Sequence, residues 1–271
     1  MQNENIIRLG FFFIIFFAVA FWEFLAPRRV LTTSKTMRWI SNLGITFINP
    51  LVLHLLFPIL AVGMALKAHE SGWGLLNIFE LPYWVALVIG VAMLDFVIYL
   101  QHAMFHAIPL LWRLHMVHHA DLDYDMTTGL RFHPIEIVLS MMIKLSSVAL
   151  LGPPVMAVLV FEILLNATAM FNHGNIRLPL KLDRVLRLII VTPDMHRVHH
   201  SVIIRETNSN FGFNLPWWDR LFGTYQDQPA RGHTNMTIGL AQFRDAKKLT
   251  LPWLLALPFI GDPGRQPINR H

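Results

Sequence analysis

Long apolar segments dominate this sequence and limit the folds that are open to it. Four of them approach or exceed the roughly 20 residues that a helix needs to cross a bilayer. They lie at residues 6–26, 44–67, 82–104 and 135–170. The 271-residue chain is 54% apolar and 14% charged, against about 45–50% and about 25% in soluble domains. The sequence therefore predicts an integral membrane protein.

The apolar segments differ in how they are interrupted. Segment 6–26 has a long core, only Arg8 as a basic start and no small-residue cleavage site, so we favour a retained helix over a signal peptide. Pro50 and Pro58 interrupt the second segment. Residues 152–154 (Gly-Pro-Pro) predict the tip of a helical hairpin, either spanning or re-entrant. We expect an all-α membrane protein with about four transmembrane helices in two hairpins and a cytoplasmic, histidine-rich helical cap.

Basic residues predict the orientation in the membrane. Residues 27–40 carry four Arg or Lys, whereas residues 67–82 carry one Lys and two Glu. The positive-inside rule places 27–40 in the cytoplasm and, counting crossings, the histidine-rich 171–235 segment as well. The division expected is an N-terminal transmembrane region (1–95), a catalytic region (96–235) that includes the 135–170 hairpin, and an interfacial C-terminal tail (236–271).

Two features of the composition exclude other classes of protein. The chain has no cysteine, which excludes disulfides, cysteine-held iron–sulfur clusters and a cysteine nucleophile. Its net charge is +5, but the basic residues form no stripe interleaved with aromatic residues. We therefore expect no nucleic-acid partner.

Histidine is the most informative residue type in the chain. There are 14 histidines, and ten lie between His102 and His200. They form one HxxxH and two HxxHH boxes, and these spacings put the rings of each box on one face of a helix. The members are His102 and His106; His115, His118 and His119; and His196, His199 and His200. Neutral imidazole is a common metal ligand, and eight such rings exceed one tetrahedral site, so two metal ions are the economical interpretation.

Five further residues are weaker candidates. His173 follows the returning arm of the hairpin and is predicted to be a ligand. His133, at the start of the hairpin, is a possible ligand, a hydrogen-bond partner of a ligand, or a helix cap. Asp95 lies seven residues before His102 on the same helix face and is expected either to support that ring or to form a hydrogen bond to a neighbouring helix. Asn175 is a possible ligand or holder of a water, and Asp194 either orients a ligand or caps a helix.

Taken together, these boxes resemble those of the fatty acid hydroxylase and sterol desaturase superfamily of membrane di-iron enzymes. The matching stretches are His102–His106 (HAMFH), Trp112–His119 (WRLHMVHH), Thr192–His200 (TPDMHRVHH) and the block Asn210–Tyr225. They follow one another in the family's order over roughly residues 95–225. Where some members have a further histidine pair, this chain offers His173 but has Arg177 four residues later.

The resemblance implies a fold, an activity and a cofactor. It implies two irons held by the eight box histidines, O₂ as co-substrate, and insertion of a hydroxyl group or a double bond into a lipid C–H bond. Electrons would come from an external donor, of the cytochrome b5 or ferredoxin-reductase type. Fatty acyl chains, sterols, terpenoids and ether lipids all remain open as substrates. The location would be the inner membrane of a bacterium or the endoplasmic reticulum of a eukaryote, with the histidine site cytoplasmic.

Two other functions fit part of the pattern. A zinc-dependent membrane lipid hydrolase would use metal-bound water as nucleophile, but catalytic zinc sites usually mix carboxylate or cysteine with histidine. A non-catalytic metal-binding or transport protein would place its ligands near the bilayer midplane, where the sequence offers only His54 and Asp95. O₂ consumption separates the oxygenase from both.

Overall fold

The structure, a computed structural model, describes residues 4–265 as a helical bundle with one elaborated end. In chain order, the helices are α1 Glu4–Leu25, α2 Lys35–Leu56, α3 Ala61–Glu70, α4 Leu75–Ile78, α5 Tyr83–Ala107, α6 Pro109–His119, α7 Pro134–Leu151, α8 Val155–Asn172, α9 Leu180–Leu186, α10 Pro193–His199, α11 Ile204–Thr207, α12 Trp217–Leu221, α13 Gly232–Asn235 and α14 Leu251–Ile260, with 3₁₀ turns at Thr128–Leu130 and Ala246–Leu249. Within these residues there is no β-strand, only two isolated bridges.

Five segments of the described chain are long and apolar enough to cross a membrane, judged by length and composition. They are Glu4–Leu25, Lys35–Ile78, Tyr83–Ala107, Pro134–Leu151 and Val155–Asn172. The predicted all-α membrane fold is confirmed. The sequence suggested about four spans; the fifth candidate arises because each arm of the predicted hairpin is a helix of 18 residues.

The second predicted segment, 44–67, is not one helix. The structure divides it between α2 and α3. α2 ends at Leu56 because Pro58 disfavours helical backbone at Phe57, which is extended. α2 also begins earlier than its apolar pattern, at Lys35, after Ser34 caps its first turn. Its first turns carry polar residues, and the structure buries Arg38 and Asn42 among them.

The hairpin predicted around residues 152–154 is present. α7 ends at Gly152, whose φ of +59° lies in the left-handed region that favours glycine. A Cβ atom on Gly152 would lie 2.3 Å from the carbonyl oxygen of Trp73, and one on Gly74 would lie 2.2 Å from the Gly152 nitrogen. The tip of the hairpin is therefore packed backbone against backbone on the α3–α4 connection.

Apolar packing holds the bundle together in two main clusters. The first lies between α3, α5, α7 and α8 and contains Val62, Leu94 and Phe161. The second lies around α6 and α14 and contains Trp112 and Leu254. α14 falls in the predicted C-terminal tail, and one of its faces is buried on α6 and α2; residues 266–271 of that tail lie outside the described residues.

Candidate metal centre

The three histidine boxes are placed by local signals for helix starts and ends. His102 and His106 occupy the last turns of α5. Pro109 is the first residue of α6, a position whose backbone N–H has no partner within the helix, so proline is tolerated there. At α10, the Thr192 hydroxyl accepts a backbone N–H of the first turn and Pro193 is the first helical residue. Each box consequently lies on a short, well-defined helical segment.

The structure brings all nine predicted histidines together. Each is buried, with 0–3% of its surface exposed. They separate into a five-histidine group (His102, His106, His115, His119 and His199) and a four-histidine group (His118, His173, His196 and His200). Within each group, one ring nitrogen per residue lies within 4.8 Å of all the others. The chain therefore provides two buried, all-histidine donor sets.

Each HxxHH box contributes to both groups. In the α6 box, His115 and His119 belong to the five-histidine group and His118 to the other. In the α10 box, His196 and His200 belong to the four-histidine group and His199 to the other. The spacing within a box predicts only that its rings share one face of a helix. The structure pairs the residues four apart and sends the residue between them to the neighbouring group.

Hydrogen bonds outside the cluster fix which ring nitrogen carries the proton in three of the histidines. The Nδ1 atoms of His102, His173 and His199 lie 2.8, 2.8 and 2.7 Å from the carbonyl oxygens of Phe211, Ala169 and Ser209, respectively. A carbonyl oxygen only accepts, so Nδ1 must donate. In a neutral ring, this leaves Nε2 as a lone-pair donor to a metal.

The inward-facing nitrogens are crowded and unsatisfied. The Nε2 atoms of His102 and His115 are 3.1 Å apart, and His173 Nε2 lies 3.2 Å from His118 Nε2 and 3.1 Å from His200 Nε2. Among the rings of the two groups, the buried nitrogens without a hydrogen-bond partner in the described structure are His106 Nε2, His118 Nδ1, His119 Nε2, both nitrogens of His196, His199 Nε2 and His200 Nδ1. Buried polar atoms are normally paired. A cation in each group would take one inward-facing lone pair from each ring, so the residues fit a metal.

Burial also keeps the rings in the protonation state that binds metal. Loss of solvent lowers the pKa of His115 and of His173 to about 3. Burial, reinforced by the neighbouring imidazoles, lowers the pKa of His118, His196 and His200 well below 6.5. The cluster is therefore neutral at pH 7, as ligation by imidazole requires.

Glu136 is a member of the site that the sequence analysis missed. Its Oε1 atom lies 2.7 Å from Nδ1 of His115, and the carboxylate is 3% exposed. The Glu136 Oε1 atom accepts the Nδ1–H, which directs Nε2 of His115 into the five-histidine group. The available signal was an acidic residue in the first turn of an apolar helix, two positions after Pro134.

Asp95 contacts a loop beside the site and not a histidine itself. Its carboxylate accepts the backbone N–H groups of Asn214 and Leu215 at 3.3 and 3.2 Å and the indole N–H of Trp218 at 2.8 Å. His102, one of the two expected partners of Asp95, donates to the Phe211 carbonyl instead. Asp95 therefore fixes the loop whose carbonyl orients His102.

His133 and Asn175 have partners outside the two groups. His133 caps α7: its Nδ1 accepts the Ile135 N–H at 3.2 Å, and its Nε2 lies 3.2 Å from the Leu255 carbonyl oxygen. Asn175 bonds to the backbone of Arg29 through both its side-chain oxygen and its side-chain nitrogen, at 3.0 and 2.8 Å. The first residue is a helix cap, and the second ties the end of α1 to the loop after His173.

Asp194 neither caps α10 nor contacts a histidine of the two groups; the histidine it approaches is His233, at 3.7 Å. The cap is Thr192, and both ring nitrogens of His196 lack a partner. Asp194 instead forms ion pairs with Arg28, at 3.1 Å, and with Arg197. These contacts hold α10 against the segment that follows α1.

Three aspartates anchor the loop that follows the α6 box. The Arg38 guanidinium bonds to both oxygens of Asp121, at 2.7 and 2.9 Å, and to Asp125 at 2.6 Å. Arg38 is 3% exposed. Asp123 accepts the backbone N–H and the hydroxyl of Thr33, at 2.8 and 2.6 Å. The start of α2 is thereby joined to the loop that leads from the second box into α7.

A cavity of about 270 Å³ opens beside the five-histidine group. His102, His115 and Glu136 lie in its wall at one end, and Arg8, Lys144 and Glu162 also line it. Its apolar lining includes Leu53, Ile98, Phe105, Met141, Leu165 and Phe213. α2, α5, α7 and α8 all contribute to this lining, so an apolar molecule could approach the histidines from within the bundle.

Fold and site together define a membrane-type helical protein with two buried histidine groups and an adjoining apolar cavity. Residues 87–224 match the fatty acid hydroxylase family, which is just over half of the chain. The chain belongs to this family, as the histidine boxes predicted.

Individual relatives point in the same direction. An ornithine lipid hydroxylase of Rhizobium tropici is 31% identical over 175 residues, which is 64% of this chain and 50% of that protein. A human alkylglycerol monooxygenase is 30% identical over 186 residues, 65% of this chain and 39% of that protein. A very-long-chain aldehyde decarbonylase of Oryza sativa subsp. indica is 28% identical over 161 residues, 57% of this chain and 58% of that protein. The chain thus spans about half or less of the first two. No solved structure matches the chain significantly.

Proposed function

We propose that this protein is a membrane oxygenase that oxidises a C–H bond of a lipid at a two-metal centre held by the nine histidines. The observation that carries the proposal is the juxtaposition of the two histidine groups with the apolar cavity: His102 and His115 belong to the five-histidine group and also line that cavity. Iron is the metal favoured, because the donor sets contain only imidazole and O₂ chemistry needs a redox-active ion. Bound there, iron would activate O₂ for attack on an unactivated C–H bond.

The residues of the chain would bind, orient and exclude water. Glu136 and the carbonyl of Phe211 fix the rings of His115 and His102 at the cavity end of the centre. Ile98, Phe105 and the other apolar residues would hold the lipid beside them and keep the centre dry. No side-chain nucleophile is required for this chemistry.

The relatives support a lipid as the substrate, since the names of the first two refer to lipid hydroxylation and alkylglycerol oxidation. Electrons would come from an external donor of the cytochrome b5 or ferredoxin-reductase type. Exposed basic residues on the cap, including Arg184 and Arg205, offer complementary charge for an acidic partner. By the positive-inside rule, the histidine end would face the cytoplasm.

The test is metal content and O₂ uptake of protein purified in detergent after growth with iron-57. We expect about two irons per chain, a coupled Mössbauer spectrum and O₂ consumption that depends on lipid and reductant. His118→Ala and His199→Ala remove one ligand from each group and should lower iron content and abolish turnover. His54→Ala is the matched control, because His54 is exposed on α2.

The outcomes separate the proposal from its rivals. Full iron content and turnover in both ligand variants would refute the assignment of the two groups. Zinc alone, with no O₂ uptake after reconstitution with iron, would favour a lipid hydrolase instead. Loss of iron in the variants but not in His54→Ala would establish the nine-histidine centre.

A further inference from the structure

The cavity beside the histidines contains polar side chains that the binding of a hydrocarbon chain does not require. Thr46, Asn49, Gln101, Ser140 and Asn166 all line it, in addition to its charged residues. Most of these polar groups have partners: Gln101 and Ser140 bond to each other at 2.9 Å, and Asn166 donates to the Glu162 carbonyl oxygen at 2.8 Å. The groups without partners are therefore the informative ones.

Three buried acceptor atoms in this lining have no hydrogen-bond partner, and one of them, Glu162 Oε2, forms an ion pair with Arg8. The two with neither kind of partner are Oδ1 of Asn49 and Oε2 of Glu136, on residues that are 8% and 3% exposed. The other polar atom of each side chain is engaged: Asn49 Nδ2 donates to the Phe132 carbonyl oxygen at 3.1 Å, and Glu136 Oε1 lies 2.7 Å from His115 Nδ1. These bonds fix both side chains and leave one acceptor on each.

Both free acceptors lie at the end of the cavity next to the histidines. Glu136 contacts His115 directly. Asn49 is bonded to Phe132, whose ring stacks on His118 with 4.5 Å between centroids. An unpaired buried acceptor destabilises a fold, so two of them beside one cavity indicate a ligand that donates hydrogen bonds.

The charged residues of the same cavity are paired among themselves. Lys144 Nζ lies 2.8 Å from Glu162 Oε1, and Arg8 lies 3.2 Å from Glu162 Oε2. Lys144 and Glu162 are ten and eleven residues along their helices from the histidine end, which corresponds to about 15 Å at the helical rise. The unsatisfied polarity of the cavity is therefore confined to the histidine end.

We propose that the cavity takes the polar end of a lipid, with a hydroxyl or ammonium group close to the carbon that is oxidised, and that Asn49 Oδ1 and Glu136 Oε2 accept its hydrogen bonds. The substrate class is a lipid oxidised in or next to its headgroup, rather than in the middle of an acyl chain. This inference rests on the proposed oxygenase function for its chemical meaning, but the binding preference itself can be measured without turnover. Asn49 would set specificity, whereas Glu136 would both bind the lipid and position His115.

The test is a direct competition between lipids that differ only in hydrogen-bond donors. Protein in nanodiscs is offered equal amounts of 1-O-hexadecylglycerol and its di-O-methyl ether, and the bound ratio is read by native mass spectrometry. Hexadecylamine replaces the glycerol in a second experiment. We expect the wild type to favour a donor lipid by roughly tenfold for each of the two acceptors, or about a hundredfold in all, because an unpaired buried acceptor costs a free energy of the order that a tenfold preference represents.

Variants show whether these two atoms cause the preference. Asn49→Leu removes one acceptor, and Glu136→Gln replaces the other with a donor while keeping an oxygen for His115; each should reduce the ratio by roughly tenfold. Asn49→Gln keeps both an amide oxygen and an amide donor for the Phe132 carbonyl and should retain more of the preference than Asn49→Leu. Leu53→Ala, in the same cavity wall, should change the binding of both lipids equally. Size-exclusion profiles identify any variant that fails to fold, and Asn49→Gln then carries the comparison with Glu136→Gln.

Equal binding of the donor lipids and the methylated lipid by the wild type would overturn the inference. So would a preference that survives both Asn49→Leu and Glu136→Gln. A preference for donor lipids without O₂-dependent turnover would support the proposed lipid-binding mode and refute the oxygenase function. O₂-dependent turnover without a preference for donor lipids would support the oxygenase function and refute the proposed binding mode.

Discussion

Replacing Arg38 with methionine tests how the site is held to the bundle. The substitution keeps much of the side-chain volume and removes the charge that neutralises Asp121 and Asp125. It deletes three charge-assisted hydrogen bonds of 2.6–2.9 Å, all in a setting where Arg38 is 3% exposed. Among the ion pairs of residues 4–265, Asp121 would keep Arg131, at 3.6 Å, as its one remaining cationic partner. Removing one partner of a buried pair typically costs about 3–5 kcal/mol.

We expect Arg38→Met to lose about 3–5 kcal/mol of unfolding free energy, a large part of the roughly 5–15 kcal/mol that stabilises typical proteins. Thermal and denaturant unfolding in a mild detergent measure the loss. Lys35→Met is the matched control, since Lys35 is exposed in the first turn of the same helix. It should cost no more than about 1 kcal/mol, because the one contact it loses is that of its ammonium with the Trp39 ring, 4.6 Å from the ring centroid. Iron content should fall with stability, because the loop anchored by Arg38 follows His118 and His119.

The loss should also depend on pH. Burial raises the pKa of Asp121, but the nearby positive charges outweigh it and hold the pKa well below 3.8. Arg38 makes the largest contribution among these charges. With a folded pKa below the unfolded one, this carboxylate stabilises the wild type above about pH 4, and the stabilisation is lost as pH falls further. In Arg38→Met the carboxylate can take up a proton, so the deficit should narrow as pH falls from 7 towards 4. A deficit under 1 kcal/mol at pH 7, equal to that of Lys35→Met, would refute the reasoning.

Three further predictions concern other parts of the molecule. Lys144→Leu leaves the buried Glu162 with Arg8 as its cationic partner and should lower the free energy of unfolding by about 3 kcal/mol, measured by thermal unfolding. The double variant Lys144→Leu/Glu162→Leu should recover most of this stability. Equal losses in the single and double variants would contradict a buried ion pair. Asp95→Ala removes the acceptor for three donors and should lower both thermal stability and turnover. Asp95→Asn should retain more of each. Identical stability and turnover in these two variants would exclude the loop-anchoring role. Removal of metal by a chelator should lower the melting temperature. If metal had been present at 100 times its Kd, the corresponding loss in unfolding free energy is about 2.7 kcal/mol. An unchanged melting temperature would exclude metal binding to the folded state.

The histidine positions could be predicted from sequence because their signal is local. Spacings of three and four residues on a helix place rings on one face whatever surrounds them, and the structure gathers all eight box histidines and His173. The division into two groups could not be predicted in this way. It depends on how α5, α6, α8 and α10 lie against one another, which is set by contacts distant in sequence.

The same distinction explains the errors. The sequence analysis offered support of His102 as one role for Asp95 because the two share a helix face, but the loop at Asn214–Trp218 supplies three donors to that carboxylate. Glu136, Lys144 and Glu162 were missed because no spacing links them to a motif. Their signal was the presence of ionisable groups inside apolar helices, which is itself grounds to suspect a functional role.

The shared membership of the two HxxHH boxes bears on how the protein would acquire its metals. Because α6 and α10 each carry ligands of both groups, the first ion to bind would order helices that the second ion also needs. The second would then pay less of the ordering entropy, which is positive cooperativity without a change of shape. Loading would be close to all-or-none, with few half-filled chains during titration. Such a centre would pass directly between an inactive apo state and a complete one, avoiding a single redox-active iron exposed to O₂ beside a lipid.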